Sequence, residues 1–200
     1  MKLWINYIDE DAAEGPLAEL YEQARKTSPN GKVPDNIKVL SLRPRVAQAK
    51  EQMRRALIGP ASSLGAKRAD MISVAVSGMN NCHFCGAAHA GSLVRRGEQT
   101  QDEAIALYAN WRSLDLPPEE VAMLEYAEKL NFHPSGTTEA DLQTLRDVGF
   151  SDENITDIVT LIAYRNFVNR LHDGLGLGLD WLRERHGDDF VSAIEEIRHE

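Results

Sequence analysis

Both cysteines of this 200-residue chain lie three residues apart, at Cys82 and Cys85, and His89 follows the second by four residues. Residues three and four apart share one face of a helix, so a helix would bring these three side chains together. Two such thiols can close a disulfide, and a neutral imidazole can take the proton of a thiol and then stabilise the thiolate. The spacing therefore indicates a redox-active dithiol with a base beside it.

The residues around the cysteines predict the helix that would hold them. Gly78 and the two asparagines after it break the preceding segment, and Gly97 ends the next one, so we predict a helix over 82–96. Free backbone N–H groups and the helix dipole in its first turn stabilise a thiolate, which favours Cys82 as the attacking thiol. Proximity to His89 favours Cys85 instead, and the spacing alone leaves both assignments open.

Other uses of paired cysteines fit the sequence less well. A structural zinc site needs four ligands, and without a third cysteine it would have to take His83 and His89 from the same short helix. A c-type haem needs a histidine directly after the second cysteine, where this chain has Gly86. Buried, inert cysteines stay an alternative. The dithiol explains the pairing best, and we expect no metal, haem or nicotinamide cofactor.

Helical periodicity dominates the rest of the chain, and alternating strand patterns are hard to find. Ser151 ahead of two acidic residues, and Thr138 with Asp141 three residues later, are typical of helix starts. We therefore predict an all-α fold with a single helical domain. Its expected parts are an N-terminal helical extension (1–60), a helical core with the CxxC motif (61–180) and a C-terminal helix (181–200).

The composition limits the classes of partner. With 22 basic and 31 acidic residues the formal net charge is −9, which argues against a nucleic-acid groove or an anionic membrane surface. No apolar run approaches the roughly 18 residues that span a bilayer, and Asp9 and Glu10 interrupt the N-terminal segment before a signal-length run develops. We expect a cytoplasmic protein that binds neither nucleic acid nor membranes.

An apolar stripe lies on the otherwise charged C-terminal segment. It consists of Phe190, Val191, Ile194 and Ile197. Such a stripe is long for the surface of a monomer. We therefore expect a homo-oligomer in which the C-terminal helix contributes to the contact between subunits.

The segment from Asp70 to His89 resembles the core motif of the alkylhydroperoxidase D-like (carboxymuconolactone decarboxylase) superfamily. Residues 163–170 with 173–176, and residues 139–152, are similar to its peroxidase-related branch. The resemblance covers roughly residues 60–180 well and the first 50 loosely. It implies an all-helical fold that assembles as trimers or hexamers.

The resemblance also implies roles. In the alkylhydroperoxidase members the second cysteine attacks the peroxide, the first resolves the sulfenic acid as a disulfide, and a Glu–His relay moves protons. By position, Cys85 would be the peroxidatic thiol, Cys82 the resolving thiol, His89 the base and Asp70 the relay acid. The expected partners are a hydroperoxide substrate and a protein or small-molecule thiol that reduces the disulfide.

Two departures from the family pattern concern the relay. Asp70 stands where the family has Glu and is one methylene shorter, so we expect at best a water-bridged contact with His89. Phe84 stands where the peroxidases have a second relay histidine, and His83 lies about 100° away around the helix. The lactone decarboxylases lack the CxxC motif, which disfavours that activity. The function predicted is therefore a thiol-dependent peroxidase or disulfide oxidoreductase, and the alternative is a non-enzymatic redox-sensing or assembly module.

The assignment of roles within the dithiol is testable by single substitutions. If Cys85 attacks and Cys82 resolves, Cys82→Ser undergoes one oxidation and accumulates a sulfenic acid or a mixed disulfide. Cys85→Ser reacts slowly or not at all. Mass spectrometry after one equivalent of hydroperoxide measures both outcomes, and the reverse pattern would show that the helix dipole outweighs the nearby base.

Overall fold

The computed structural model describes residues 3–28, 30–59 and 61–198, and within these the regular elements are all helices. The predicted all-α class is thereby confirmed. The α-helices are α1 (Gly15–Thr27), α2 (Asp35–Lys38), α3 (Pro44–Leu57), α4 (Gly65–Met79), α5 (His83–Arg95), α6 (Gln101–Asn110), α7 (Pro118–Phe132), α8 (Glu139–Asp147), α9 (Asp152–Gly174), α10 (Asp180–His186) and α11 (Asp188–Glu195). In these described parts of the chain, none of the helices combines the length and the apolar character that crossing a membrane requires.

The predicted helix starts are present at the expected residues. The Ser151 hydroxyl accepts a hydrogen bond from the Asn154 N–H at 3.1 Å, and the Asn154 side chain accepts one from the Ser151 N–H at 3.0 Å. The carboxylate of Asp141 accepts the Thr138 N–H at 2.7 Å. These reciprocal bonds satisfy backbone donors that the first helical turn leaves free, so local chemistry alone fixes where α8 and α9 begin.

Helix α4 is the centre of the main core. It packs against α5, α6, α7 and α9, and every residue from Ala69 to Gly78 is buried. A helix that is buried around its whole circumference can only be stable when other helices surround it. Its small residues allow close approach: a Cβ on Gly78 would meet the backbone oxygen of Tyr108 in α6.

Helices α1–α3 form a second, smaller core against one end of α9. Leu17, Leu20 and Tyr21 of α1 are buried there, and Leu171 of α9 packs against the cluster. The Tyr164 hydroxyl of α9 donates a hydrogen bond to the backbone oxygen of Lys50 in α3 at 3.1 Å. This bond joins the N-terminal helices to the same helix that faces the cysteines.

The C-terminal segment differs from the expected single helix. Gly187 adopts a φ of +91° between α10 and α11, a conformation that L-residues with a Cβ rarely adopt, and the chain turns there. Phe190, Val191 and Ile194 are buried in the chain's own core, where α11 packs on α5 and α6. The stripe that we interpreted as a contact between subunits is therefore covered within one chain, and homo-oligomerisation stays a prediction without that support.

The close contact at Gly78 predicts a large difference between two glycine substitutions. Gly78→Ala forces a methyl group to within 2.1 Å of the Tyr108 carbonyl oxygen, a backbone atom that cannot move aside without shifting α6. We expect a loss of at least about 1–3 kcal/mol in the free energy of unfolding. Gly174→Ala, at the end of α9 with no atom within 4 Å of the new Cβ, should change it little or raise it by roughly 0.4–1 kcal/mol. Urea unfolding measures both, and equal effects would contradict the tight α4–α6 contact.

Candidate active site

The two cysteines lie at the start of α5, where the chain turns out of α4. Asn81 has a φ of +55°, and the Cys82 N–H donates to the backbone oxygen of Ser77 at 2.9 Å. Cys82 is the N-cap of α5 and Cys85 lies in its first turn, within one residue of the predicted helix start. Both thiols are free and almost fully buried. Exposure to solvent therefore does not favour either thiol as the nucleophile.

The histidine that contacts Cys85 is His172 of α9. Its Nδ1 lies 3.2 Å from the Cys85 Sγ, within hydrogen-bond distance for sulfur. The ring is buried, and it lies nearly perpendicular to the Phe84 ring with the centroids 5.2 Å apart. His172 thus occupies the position over the sulfur that we predicted for His89.

Sequence reasoning missed His172, although a signal for it existed. Arg165, Asn169 and His172 are spaced four and three residues apart on α9 and are all buried. Polar residues that recur on the apolar face of a long helix need partners in the interior. Only the packing of α9 against α5 reveals that the partner of His172 is a cysteine 87 residues away.

The surroundings shift the pKa values of the two thiols in opposite directions. Burial by itself raises the pKa of the Cys85 thiol, but hydrogen bonds with Cys82 and His172 and the charges of His172 and Arg165 hold that pKa well below its ordinary value. The hydrogen bond to Cys85, together with burial, raises the pKa of Cys82 well above the usual range. A Cys85 thiolate that accepts a hydrogen bond from a Cys82 thiol fits both shifts, and this favours Cys85 as the nucleophile.

His89 contacts Asp70 directly rather than through water. Its Nδ1 lies 2.5 Å from the Asp70 Oδ1, because α4 and α5 pack closely enough for the shorter side chain to reach. Arg96 donates to the other carboxylate oxygen at 2.7 Å. Burial raises the pKa of Asp70, but these two partners outweigh it, so the carboxyl group has a lowered pKa and is ionised.

The second nitrogen of His89 accepts a hydrogen bond from Arg165. An ionised carboxylate only accepts, so the proton of His89 lies on Nδ1, and Nε2 accepts from Arg165 Nη1 at 2.6 Å. Arg165 is 2% exposed, and its charge is one of the influences that lower the Cys85 pKa. Asp70 and His89 therefore act on Cys85 through Arg165, whereas His172 acts on it by contact.

The same donors could hold a metal ion. Among the described residues, Cys82, Cys85 and His172 bring one ligand atom each to within 4.8 Å of one another. Two thiolates and one imidazole suit Zn²⁺ in a site with an open fourth position. The Cys2His2 alternative considered from the sequence does not form, because His83 contacts the Ile197 carbonyl and Arg198 while His89 contacts Asp70 and Arg165.

A cavity of about 300 Å³ opens beside the Cys85 sulfur. Cys85, His89, Arg165 and His172 all line it, so the catalytic candidates of α5 and α9 share one space. Residues of α1, α2, α3 and α10 also line it. Organic ligands occupy cavities from about this size upward.

Comparisons with known proteins find a family model and relatives that match the chain. Residues 44–129 match the model of the carboxymuconolactone decarboxylase family. The uncharacterized protein YdfG of Bacillus subtilis (strain 168) is 31% identical over 116 residues, which cover 58% of this chain and 78% of YdfG.

Two solved structures are similar over most of the chain. A peroxidase-related protein with an alkylhydroperoxidase AhpD core, from Ralstonia eutropha JMP134, has 26% identity and a TM-score of 0.76, covering 97% of this chain and 100% of that one. A peroxidase-related protein from Silicibacter sp. TM1040 has 27% identity and a TM-score of 0.74, covering 80% and 83%. Both proteins are described as uncharacterized.

The contact between His172 and Cys85 predicts the pH dependence of thiol reactivity. Because the pKa of Cys85 is lowered, its alkylation by iodoacetamide should reach a plateau below pH 8.5, the ordinary pKa of a cysteine. His172→Ala removes a hydrogen bond and a positive charge, so the profile should move to higher pH and the rate at pH 7 should fall at least about tenfold. Peptide mapping of the alkylated sites measures the rate. His133→Ala, an exposed histidine outside the site, is the control; an unchanged profile in His172→Ala would contradict the assignment.

Proposed function

Because the chain belongs to the peroxidase-related branch of the alkylhydroperoxidase D-like and carboxymuconolactone decarboxylase superfamily, we propose that it is a thiol-dependent peroxidase that reduces hydroperoxides through Cys82 and Cys85. The observation that carries this proposal is the 3.2 Å contact between the Cys85 Sγ and the His172 Nδ1, with a second thiol beside it. A buried histidine can take the thiol proton, and a neighbouring thiol can resolve the oxidised product.

In the first step the Cys85 thiolate attacks the terminal oxygen of the hydroperoxide. The S–O bond forms as the O–O bond breaks, and the alkoxide leaves with the electron pair. His172, which holds the proton taken from Cys85, gives it to the alkoxide, so an alcohol is released. Cys85 becomes a sulfenic acid and the peroxide is reduced by two electrons.

In the second step Cys82 resolves the sulfenic acid. The Cys82 sulfur attacks the Cys85 sulfur, hydroxide leaves, and the proton of the Cys82 thiol converts it to water. The raised pKa of Cys82 suits this order, because a thiol that stays protonated does not compete for the peroxide. A protein or small-molecule dithiol then reduces the disulfide by exchange and returns both thiols.

His89 and Asp70 have a positioning role in this proposal rather than the base role that the resemblance implied. The acceptor nitrogen of His89 is engaged by Arg165, so it is not free to take the Cys85 proton. Asp70 fixes the tautomer and orientation of His89, which in turn holds the Arg165 charge close to the thiolate. Loss of either residue should therefore slow the first step by releasing Arg165.

The oligomeric state and the cellular location are part of the same proposal. The family resemblance supports a homo-oligomer, a trimer or hexamer, and the composition supports a cytoplasmic location. In the cytosol thiols are kept reduced, which would supply the electrons for the last step.

Turnover separates an enzyme from a redox sensor. With excess cumene hydroperoxide and dithiothreitol, the wild-type chain should consume many equivalents of peroxide, whereas a sensor would stop after one. Cys85→Ser should lose the activity, and Cys82→Ser should lose most of it because the sulfenic acid must then wait for external thiol. Peroxide loss is followed colorimetrically. If the wild-type chain is oxidised only once per molecule with each of several dithiols, the proposal that it is an enzyme is wrong.

A further inference from the structure

The charges that line the cavity beside Cys85 are mostly positive. Five cationic side chains face one carboxylate there: Lys50, Arg54, Arg55, Arg165 and Arg185 against Glu51. The chain as a whole carries a formal charge of −9, so a surface chosen at random would be acidic. A concave site of one sign concentrates ions of the opposite sign. The cavity is therefore built for an anion.

The single carboxylate does not neutralise these cations. Glu51 lies 3.2 Å from Lys50 and 2.8 Å from Arg54, so this one carboxylate forms salt bridges with two of the cations. Among the described residues, Arg165 and Arg185 have no carboxylate within salt-bridge distance. Arg165 is 2% exposed. The Cys85 thiolate is the nearby anion, and a buried guanidinium with no carboxylate partner is better compensated when a ligand supplies one.

Hydrogen-bond donors in the same cavity wall also lack acceptors. In the described part of the chain, the buried Nε–H of Arg165 and the buried Nε1–H of Trp181 have no partner. Arg Nε–H and the indole N–H can only donate, so both call for an acceptor that the described residues do not supply. Buried donors are rarely left unpaired in native proteins, which makes two of them in one cavity wall a sign of a ligand.

The remaining walls are apolar. Leu20, Ile37, Phe84 and Val168 line the cavity together with the ring of Trp181. A cavity of about 300 Å³ is far larger than hydrogen peroxide needs. Its occupant should combine an apolar body with an oxygen-rich anionic group, and a carboxylate matches the planar donors of a guanidinium.

We propose that this cavity binds a carboxylate and that the preferred oxidant of Cys85 is an organic hydroperoxide that carries one. The inference rests on the proposed function, because it names the substrate class of the same thiol. The carboxylate accepts from Arg165 and Trp181, and the apolar body fills the space toward Leu20 of α1 and Ile37 of α2. The peroxide group then reaches the Cys85 sulfur, which attacks its terminal oxygen as described above.

Alkylation tests the anion site without any peroxidase activity. Iodoacetate and iodoacetamide are nearly equal in size and react identically: the Cys85 thiolate attacks the CH2 carbon and iodide leaves with the bonding pair. With the thiolate of 2-mercaptoethanol, iodoacetate is the slower reagent because like charges repel. In the Cys82→Ser chain, where Cys85 is the remaining thiol, we expect iodoacetate to be the faster reagent by at least about tenfold at pH 7.

The ratio of the two rates isolates anion recognition from thiol reactivity, since any change in the Cys85 thiolate affects both reagents alike. Arg165→Gln and Trp181→Phe, added to Cys82→Ser, should lower the iodoacetate to iodoacetamide ratio several-fold. Arg146→Gln, which removes a cation of α8 that pairs with Asp152 of α9, should leave the ratio unchanged. A ratio below that of 2-mercaptoethanol, or one insensitive to Arg165 and Trp181, would overturn the proposal.

A second measurement separates this proposal from the proposed function. Cumene hydroperoxide bearing a para-carboxylate should oxidise the wild-type chain at least about tenfold faster than its methyl ester at equal concentration. If neither peroxide oxidises Cys85 while iodoacetate remains the faster alkylating agent, the peroxidase function fails and the carboxylate site stands. If the ester and the acid react equally fast and the alkylation ratio is low, the site fails and the peroxidase stands.

Discussion

The contact between the Cys85 sulfur and the His172 ring is the constraint on which the rest of the site depends. It joins α5 to the end of α9, and a shift of α9 by one residue would move the ring by about 1.5 Å along the helix and about 100° around it. The register is held by α4, which packs against both helices and is buried over most of its length. Small residues on α4 make that packing close, so the same features that stabilise the core place a base on the nucleophile.

Buried charge is the second organising feature. Asp70, His89 and Arg165 form a continuous hydrogen-bonded chain from α4 through α5 to α9. Placing ionised groups in the interior is costly; His89 and Arg96 compensate the Asp70 carboxylate, whereas Arg165 has no carboxylate partner among the described residues. This series of hydrogen bonds ends near the Cys85 thiolate. There the Arg165 charge and the contact with His172 both lower the pKa of Cys85. The interior thus stabilises a negative sulfur beside a buried guanidinium.

The cavity differs in the sign of its charge from the chain as a whole. Acidic residues dominate the sequence, yet the walls around the reactive sulfur carry several cations and a single carboxylate. The N-terminal helices supply part of this wall, since α3 contributes Lys50 and Glu51 and is tied to α9 through Tyr164. These helices therefore shape the cavity as well as enclosing a core of their own.

The sequence by itself determined the elements whose causes are local. The helix starts at Ser151 and Thr138, the all-α class and the placement of both cysteines at the start of one helix follow from capping groups, periodicity and spacing within a few residues. The tertiary structure decided which side chain contacts Cys85, because His172 comes from a helix 87 residues away and its arrival depends on how α9 packs. It also decided that Asp70 reaches His89 and that the C-terminal stripe is covered within the chain. Distances between helices are set by the sum of many packing contacts, and no local pattern encodes that sum.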